Sequence, residues 1–193
     1  MRVLITYAHP NPKSFNHAIL ETITNTLNQN GHEVKVNDLY AKTNFKSTLD
    51  KSDFEQMTQG NTPLDIKSEQ EAVAWADTLV FIYPIWWFGL PAILKGWIDR
   101  VFLHGFAYEY AEGGPKGLLI NKKAIIFQTT GGEESTYELN KTKPLIEKTI
   151  TDGILGFCGI SDIHYKAFFA VPTVSVESRE GMLKEASEIA TSL

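Results

Sequence analysis

Thr78-Leu79-Val80-Phe81-Ile82-Tyr83 runs directly into Pro84-Ile85-Trp86-Trp87-Phe88-Gly89-Leu90-Pro91. The first six residues are apolar almost throughout, without the alternation of a half-exposed strand. That pattern belongs to a strand covered on both faces, which is typical of parallel sheets. Pro91 stands where a helix would open, and Ile93, Leu94, Trp97, Ile98, Val101 and Phe102 then fall on one helical face. A buried strand, an aromatic-rich loop and an amphipathic helix make up the first part of a βαβ unit.

The same alternation extends in both directions. Upstream, Val3-Leu4-Ile5-Thr6-Tyr7 reads as a buried strand, and Ser14 to Asn30 as a helix with Phe15, Ala18, Ile19, Ile23 and Leu27 at helical spacing. Asn30-Gly31 closes that helix, and His32-Glu33-Val34-Lys35-Val36 alternates as a second strand. The polar tract from Asn44 to about Ser68 has little periodicity and reads as a long surface excursion. Glu69 to Ala76 then leads helically into the strand quoted first. Downstream, Lys122 to Gln128 is a fourth strand, Pro144 to Phe157 a helical region, His164 to Val171 a fifth strand and Arg179 to Leu193 a closing helix.

These elements predict a single α/β domain over residues 1–193. It is a doubly wound five-stranded parallel sheet with helices on both faces and the flavodoxin-like order 2-1-3-4-5. In such sheets ligands sit beyond the carboxyl ends of strands 1 and 3, where the winding direction reverses.

Composition narrows the function. With 193 residues and 43% hydrophobic content, the chain suits one soluble domain. A formal charge of -5 without a basic run argues against a nucleic-acid partner. Cys158 is the single cysteine, so there is no intrachain disulfide partner and no cysteine metal cluster, and no metal site is expected. The apolar start Met1 to Tyr7 ends at His9-Pro10, too short for a signal-peptide core or a membrane span, and a cytoplasmic protein is expected.

The unusual residues fall after strands 1, 3 and 4. Ala8-His9-Pro10-Asn11-Pro12-Lys13-Ser14-Phe15-Asn16 joins strand 1 to its helix; Ser14 or Asn16 can cap that helix, and the free amides at its start suit a phosphate. A plain cap explains Ser14 but not His9, whose imidazole can donate to a phosphate oxygen. Trp87 and Phe88 can press on a planar ring, while Pro84 and Gly89 shape a backbone that offers amides to its edge. Thr129-Thr130-Gly131-Gly132-Glu133-Glu134-Ser135-Thr136-Tyr137 brings paired glycines for close approach and hydroxyls for hydrogen bonding. GxGxxG and GxxxxGK[ST] are both absent, which disfavours a fingerprint dinucleotide site and a P-loop. Phosphate end, ring face and ring edge together suit a flavin mononucleotide moiety.

The chain resembles the flavodoxin-like NAD(P)H:quinone oxidoreductases. The resemblance rests on His9 with Ser14-Phe15-Asn16, on Pro84 to Pro91, and on Thr129 to Gly132 with Tyr137. Ala92 to Trp97, Arg100-Val101-Phe102, Gly105 to Tyr108, Gly153-Ile154-Leu155 and Phe157-Cys158-Gly159 extend it, so that it covers Val3 to about Pro172 with the middle tract poorly matched.

It implies a homodimeric flavoprotein with its site at the interface. Such an enzyme takes hydride from NAD(P)H at flavin N5 and reduces quinones or similar electrophiles by two electrons in ping-pong fashion. His9, Phe15 and Asn16 carry over to the phosphate and ribityl end; Ile85, Trp86, Trp87 and Phe88 to the isoalloxazine; and Thr129, Thr130, Gly131 and Gly132 to the ring edge. Tyr108, assisted by Tyr110, carries over to the substrate pocket beside Trp87 and Phe88, and Tyr137 to the flavin edge. The ordinary alternative for Tyr108 and Tyr110 is alternate positions on a short edge strand.

Two departures stand out. No His lies between Tyr137 and His164, so the family's Tyr-His pair is incomplete here, with Lys141 or Lys143 as candidate sources of positive charge. The chain also lacks the family's longer middle excursion and C-terminal extension, which favours FMN, with FAD as the alternative. Relatives that act as flavin-binding regulatory subunits of potassium-efflux transporters give a competing function, with a membrane transporter as partner. A signalling receiver domain would need carboxylates at strand ends 1 and 3, where this chain has Ala8-His9 and Pro84-Ile85. A one-electron shuttle like flavodoxin would carry a phosphate loop rich in Ser, Thr and Gly rather than His and Pro.

Overall fold

The structure, a computed structural model, describes all 193 residues. Five parallel strands form the central sheet: β1 (Arg2–Tyr7), β2 (Glu33–Asp38), β3 (Thr78–Pro84), β6 (Lys123–Thr129) and β7 (Asp162–Phe168). Their spatial order is β2-β1-β3-β6-β7, the predicted 2-1-3-4-5 order counted over sheet strands. Two further strands, β4 (Tyr108–Ala111) and β5 (Gly114–Gly117), pair antiparallel as a separate hairpin.

Every residue of β3 is buried, as its unbroken apolar run requires. Alternate strand residues serve two cores. Val3, Ile5, Val80, Ile82, Ile125 and Phe127 pack with Ile19, Ile23 and Leu27 of α1 (Phe15–Gln29) and with Ala186 and Ala190 of α7 (Val176–Thr191). Leu4, Leu79, Phe81, Ala124 and Ile126 pack on the opposite face with Val73 of α3 (Leu64–Trp75), Leu94, Trp97 and Val101 of α4 (Ala92–Val101), and Ile146 and Ile150 of α6 (Lys143–Ile150). Helices thus cover both faces.

The tract from Asn44 to Ser68 departs from expectation. It holds α2 (Lys51–Thr58), started by a capping box between Asp50 and Asp53, and α3 begins at Leu64 rather than Glu69. A charge buried in α4 secures it. Arg100, 1% exposed, donates from Nε and Nη2 to Asp53 at 2.9 and 3.0 Å, and also binds Asp65 and the Lys46 carbonyl. A Cβ at Gly96 would lie 1.6 Å from the Ser47 carbonyl oxygen, so glycine there lets the tract lie directly on α4. Polar composition hid this anchoring, because the tract is held by ion pairs rather than by an apolar face.

Other boundaries shift by a few residues. The last helix starts at Val176, where Ser175 caps it by accepting from the Ser178 N–H, and α5 (Glu134–Leu139) occupies what reads as loop. The stretch expected as one helix divides into α6 and a π-helical segment, Thr151–Gly156. At Gly156 a Cβ would come 3.0 Å from the Thr151 carbonyl oxygen five residues back, so glycine accommodates the wider coil.

Candidate active site

The loop after β1 is rigid by its own hydrogen bonds. The Asn11 N–H donates to His9 Nδ1 at 3.0 Å, and the Lys13 N–H to Asn11 Oδ1 at 2.9 Å. With Nδ1 engaged as acceptor, the neutral imidazole carries its proton on Nε2. Burial pushes the His9 pKa below its ordinary value, which favours that neutral form. Ser14 caps α1, its Oγ accepting from the His17 N–H at 3.2 Å. The N–H groups of Phe15 and Asn16 have no partner in the chain and form the open start of α1.

The loop after β3 closes as a tight turn. Trp86 and Gly89 exchange backbone hydrogen bonds at 3.0 and 3.1 Å, and the residues between them have φ of +51° at Trp87 and +58° at Phe88. Two central residues with positive φ match a type I′ turn, which ordinarily carries Asn-Gly. Sequence reading assigned the backbone shaping to Pro84 and Gly89; the strained positions are instead the two aromatics. Bulky residues held in this region point to a functional constraint. Trp87 is 98% exposed, and the Trp87 and Phe88 N–H groups are unpaired. Pro84 ends β3 beside Thr129, and Ile85, buried, donates its N–H to the Thr129 carbonyl at 2.8 Å.

The loop after β6 meets both. Asn16 Nδ2 donates to Thr129 Oγ1 at 2.7 Å, joining α1 to the end of β6. Thr130 Oγ1 donates to the Gly132 carbonyl at 2.8 Å, folding the loop back on itself. A Cβ at Gly131 would meet nothing within 4 Å, so its backbone faces open space, while one at Gly132 would come 3.1 Å from the Tyr137 ring. The Gly131 and Gly132 N–H groups are free. Tyr137, on α5, packs edge-on against Phe88 at 5.7 Å between centroids, and His9 lies 6.0 Å from Trp86.

Three strand-end loops thus touch pairwise, as predicted. A fourth, after β7, was missed: the Ala170 N–H donates to the Gly132 carbonyl at 2.8 Å, the Val171 N–H to the Thr130 carbonyl at 3.0 Å, and Phe169 packs on Tyr137. The adjacent aromatics Phe168-Phe169 at the strand end were the available signal.

Of the two lysines considered as charge donors, Lys143 is committed to Glu134 and to Glu138 at 3.0 Å, and lies over the Phe169 ring. Lys141 is exposed, with φ of +56° and no ion-pair partner.

Tyr108 and Tyr110 lie outside the three-loop group within one chain. They occupy β4, where Tyr108 packs on Phe157 at 5.0 Å and Tyr110 stacks with His104 at 5.9 Å. Phe157 follows directly on the π-helical segment. A Cβ at Gly117, opposite Tyr108, would come 2.2 Å from the Cys158 backbone, so the hairpin lies flush against that segment.

The geometry therefore offers free amides at a helix start, a protonated imidazole Nε2, a projecting aromatic wall and an open glycine edge at the switch point of a doubly wound sheet. These are the parts of a site for a planar ligand with an anionic tail. The flavodoxin-like fold family model matches residues 1–192. An uncharacterized NAD(P)H oxidoreductase of Haemophilus influenzae is 34% identical, over 97% of this chain and 93% of its own length. The NAD(P)H dehydrogenase [quinone] 1 of Cavia porcellus is 37% identical, over 97% of this chain and 77% of its own. Among solved structures, an NAD(P)H:quinone oxidoreductase from Methanothermobacter marburgensis superposes with a TM-score of 0.84 at 33% identity, covering 99% of this chain and 98% of that one. The protein is a flavodoxin-like α/β oxidoreductase. The chain belongs to the family of flavodoxin-like NAD(P)H:quinone oxidoreductases.

No helix is long and apolar enough to cross a membrane.

Proposed function

We propose that the chain is a flavin-dependent NAD(P)H:quinone oxidoreductase of the cytoplasm, with FMN as its cofactor and FAD as the alternative. The observation that carries this reading is the turn at Trp87-Phe88. It holds two exposed rings and two free amides in a strained conformation, with Phe88 against the Tyr137 ring that also lies beside Gly132. The residues fit the cofactor. Phe15 and Asn16 N–H groups and His9 Nε2 suit the phosphate, and the buried Asn16 Oδ1, without a partner in the chain, suits a ribityl hydroxyl.

A flavin held there would supply the two-electron, hydride-transfer chemistry at N5 that links NAD(P)H to a quinone or similar electrophile in a ping-pong sequence. The chain's own contribution is position and electrostatics. Trp86, Trp87 and Phe88 present one ring face, Ile85 backs them from the core, and Tyr137 braces Phe88. The free Gly131 and Gly132 N–H groups would serve the ring edge, where preset donors stabilise developing negative charge. The Tyr137 hydroxyl makes no hydrogen bond within the chain and is free to donate to that edge in place of a Tyr-His pair. In this reading the active form is a homodimer in which a second copy brings Tyr108 and Tyr110 over the open side.

The test is direct. Purified protein should be yellow, release FMN on heating, oxidise NAD(P)H with benzoquinone, and elute at twice the 21.6 kDa chain mass. Colourless protein that neither FMN nor FAD reconstitutes would overturn the reading.

A further inference from the structure

Within the apolar core that α6 covers lies a polar cross-link. Gln128, on β6 one residue before Thr129, is fully buried, and so is Tyr83, its register partner on β3 one residue before Pro84. Gln128 Nε2 donates to the Tyr83 hydroxyl at 2.5 Å and to the Ile146 carbonyl of α6 at 3.1 Å, while its Oε1 accepts from the Tyr165 hydroxyl of β7 at 2.7 Å. Both amide hydrogens and the carbonyl oxygen are thus in use. Burial pushes the pKa of both phenols up, so each remains a neutral hydroxyl.

We propose that Gln128 is a positioning residue for Tyr137, fixing the ring so that its free hydroxyl is presented to the flavin edge. The consequence for the flavin rests on the proposed function, whereas the anchoring of Tyr137 does not.

The helix that carries Tyr137 cannot place itself. α5 is six residues long and buries none of them, so it has no apolar anchor of its own. Its Tyr137 carbonyl is held from α6 instead: the Thr142 N–H donates to it at 2.9 Å and the Thr142 Oγ1 at 3.4 Å, and the Thr142 carbonyl accepts in turn from the Ile146 N–H at 3.2 Å. The position of α6 is therefore passed on to Tyr137. Ile146 and Ile150 bury α6 against the sheet, but apolar contact is non-directional and does not by itself fix slide or roll. The bond from Gln128 to the Ile146 carbonyl is directional, and it acts one turn from Thr142.

Tyr165 and Tyr83 hold the amide itself. With one hydroxyl on Oε1 and the other on Nε2, a single orientation of the Gln128 side chain satisfies every partner. Stability does not call for this arrangement. Phe, Leu and Phe at positions 83, 128 and 165 would fill similar space and leave no polar group to satisfy, an exchange that is nearly neutral. What a fully satisfied buried network adds is rigidity.

The experiment compares the wild type with Gln128→Leu and with the triple variant Tyr83→Phe, Gln128→Leu, Tyr165→Phe, which strands no hydroxyl. In flavin-free protein, hydrogen exchange at the Thr142 amide should quicken about tenfold in both variants, while the amides of β1 and β3 keep their wild-type rates in the triple variant. A merely structural role would move the strands as well. With flavin bound, Tyr137→Phe should lower kcat about tenfold in the wild type, the value of one hydrogen bond. In the triple variant the same change should lower kcat less than about twofold, with KM for NAD(P)H unaltered, because the two sites are coupled. Wild-type exchange at Thr142, equal quickening in β1 and β3 of the triple variant, or a full Tyr137→Phe effect in that background overturns the proposal. Faster exchange at Thr142 alone, in protein that binds neither FMN nor FAD, supports the anchoring and removes the oxidoreductase reading instead.

Discussion

Asn16 and Thr129, 113 residues apart, meet side chain to side chain at 2.7 Å, the first on the opening turn of α1 and the second at the end of β6. The bond ties two of the three loops together below the ligand site. Both residues are buried, so removing one partner strands the other without solvent to replace it. Asn16→Ala should lower stability by about 1–3 kcal/mol, read from urea unfolding. It should also weaken FMN binding through loss of Oδ1. Unchanged flavin affinity in a destabilised variant would confine Asn16 to a structural role.

Trp87→Gly tests the strained turn. Glycine adopts the positive φ without penalty, so the flavin-free protein should gain about 1 kcal/mol in unfolding free energy. The variant should at the same time bind flavin more weakly and turn over more slowly, having lost the ring face. Denaturation of apoprotein and flavin titration separate the two effects. A loss of stability would mean that Trp87 packs in the free protein, contrary to its exposure.

His9→Ala isolates the phosphate contact. One lost hydrogen bond of about 1–1.5 kcal/mol predicts roughly tenfold weaker FMN binding. Affinity for riboflavin, which has no phosphate, should be unchanged. Equal weakening of both ligands would move His9 away from the phosphate end.

Arg100→Met removes the two guanidinium hydrogen bonds of buried Asp53, leaving it only the half-exposed Lys46 at 3.1 Å, and should cost about 3 kcal/mol of stability. Burial alone would raise the pKa of Asp53 and Asp65, but hydrogen bonds from Arg100 to both, and from Lys46 to Asp53, hold them below the ordinary carboxylate value. Their folded pKa being depressed, they contribute stability above the unfolded value of about 4, which is lost as pH falls through the folded value. Urea midpoints measured from about pH 6 down to pH 3 should fall steeply for the wild type and less steeply for the variant.

The sheet order was legible because β1, β3 and β6 are unbroken apolar runs, and burial on both faces leaves such a run one reading. The convergence of the three loops was legible because Pro, Gly and Trp at strand ends have few structural reasons to be there. What escaped has a common cause. The role of Arg100 depends on Asp53 and Asp65, 47 and 35 residues away, and nothing local marks a charge as buried. The positive φ at Trp87 and Phe88 also escaped, since the residue types argue against it and the turn is closed by its own backbone bonds. Tyr108 and Tyr110 were picked out by resemblance, yet a single chain does not carry them to the three converging loops.

The clamp on the tract from Asn44 to Ser68 governs how the protein meets a protease. Judged by composition, this stretch invites cleavage, with lysines at 46, 51 and 67 among polar neighbours. Cleavage requires the backbone to extend into the enzyme's cleft, and here it cannot do so without withdrawing Asp53 and Asp65 from Arg100 and lifting Ser47 off Gly96. Limited trypsinolysis should therefore spare the tract in the folded protein and open it first in Arg100→Met, making a nick after Lys46 or Lys51 a sensitive report of whether that single guanidinium is in place.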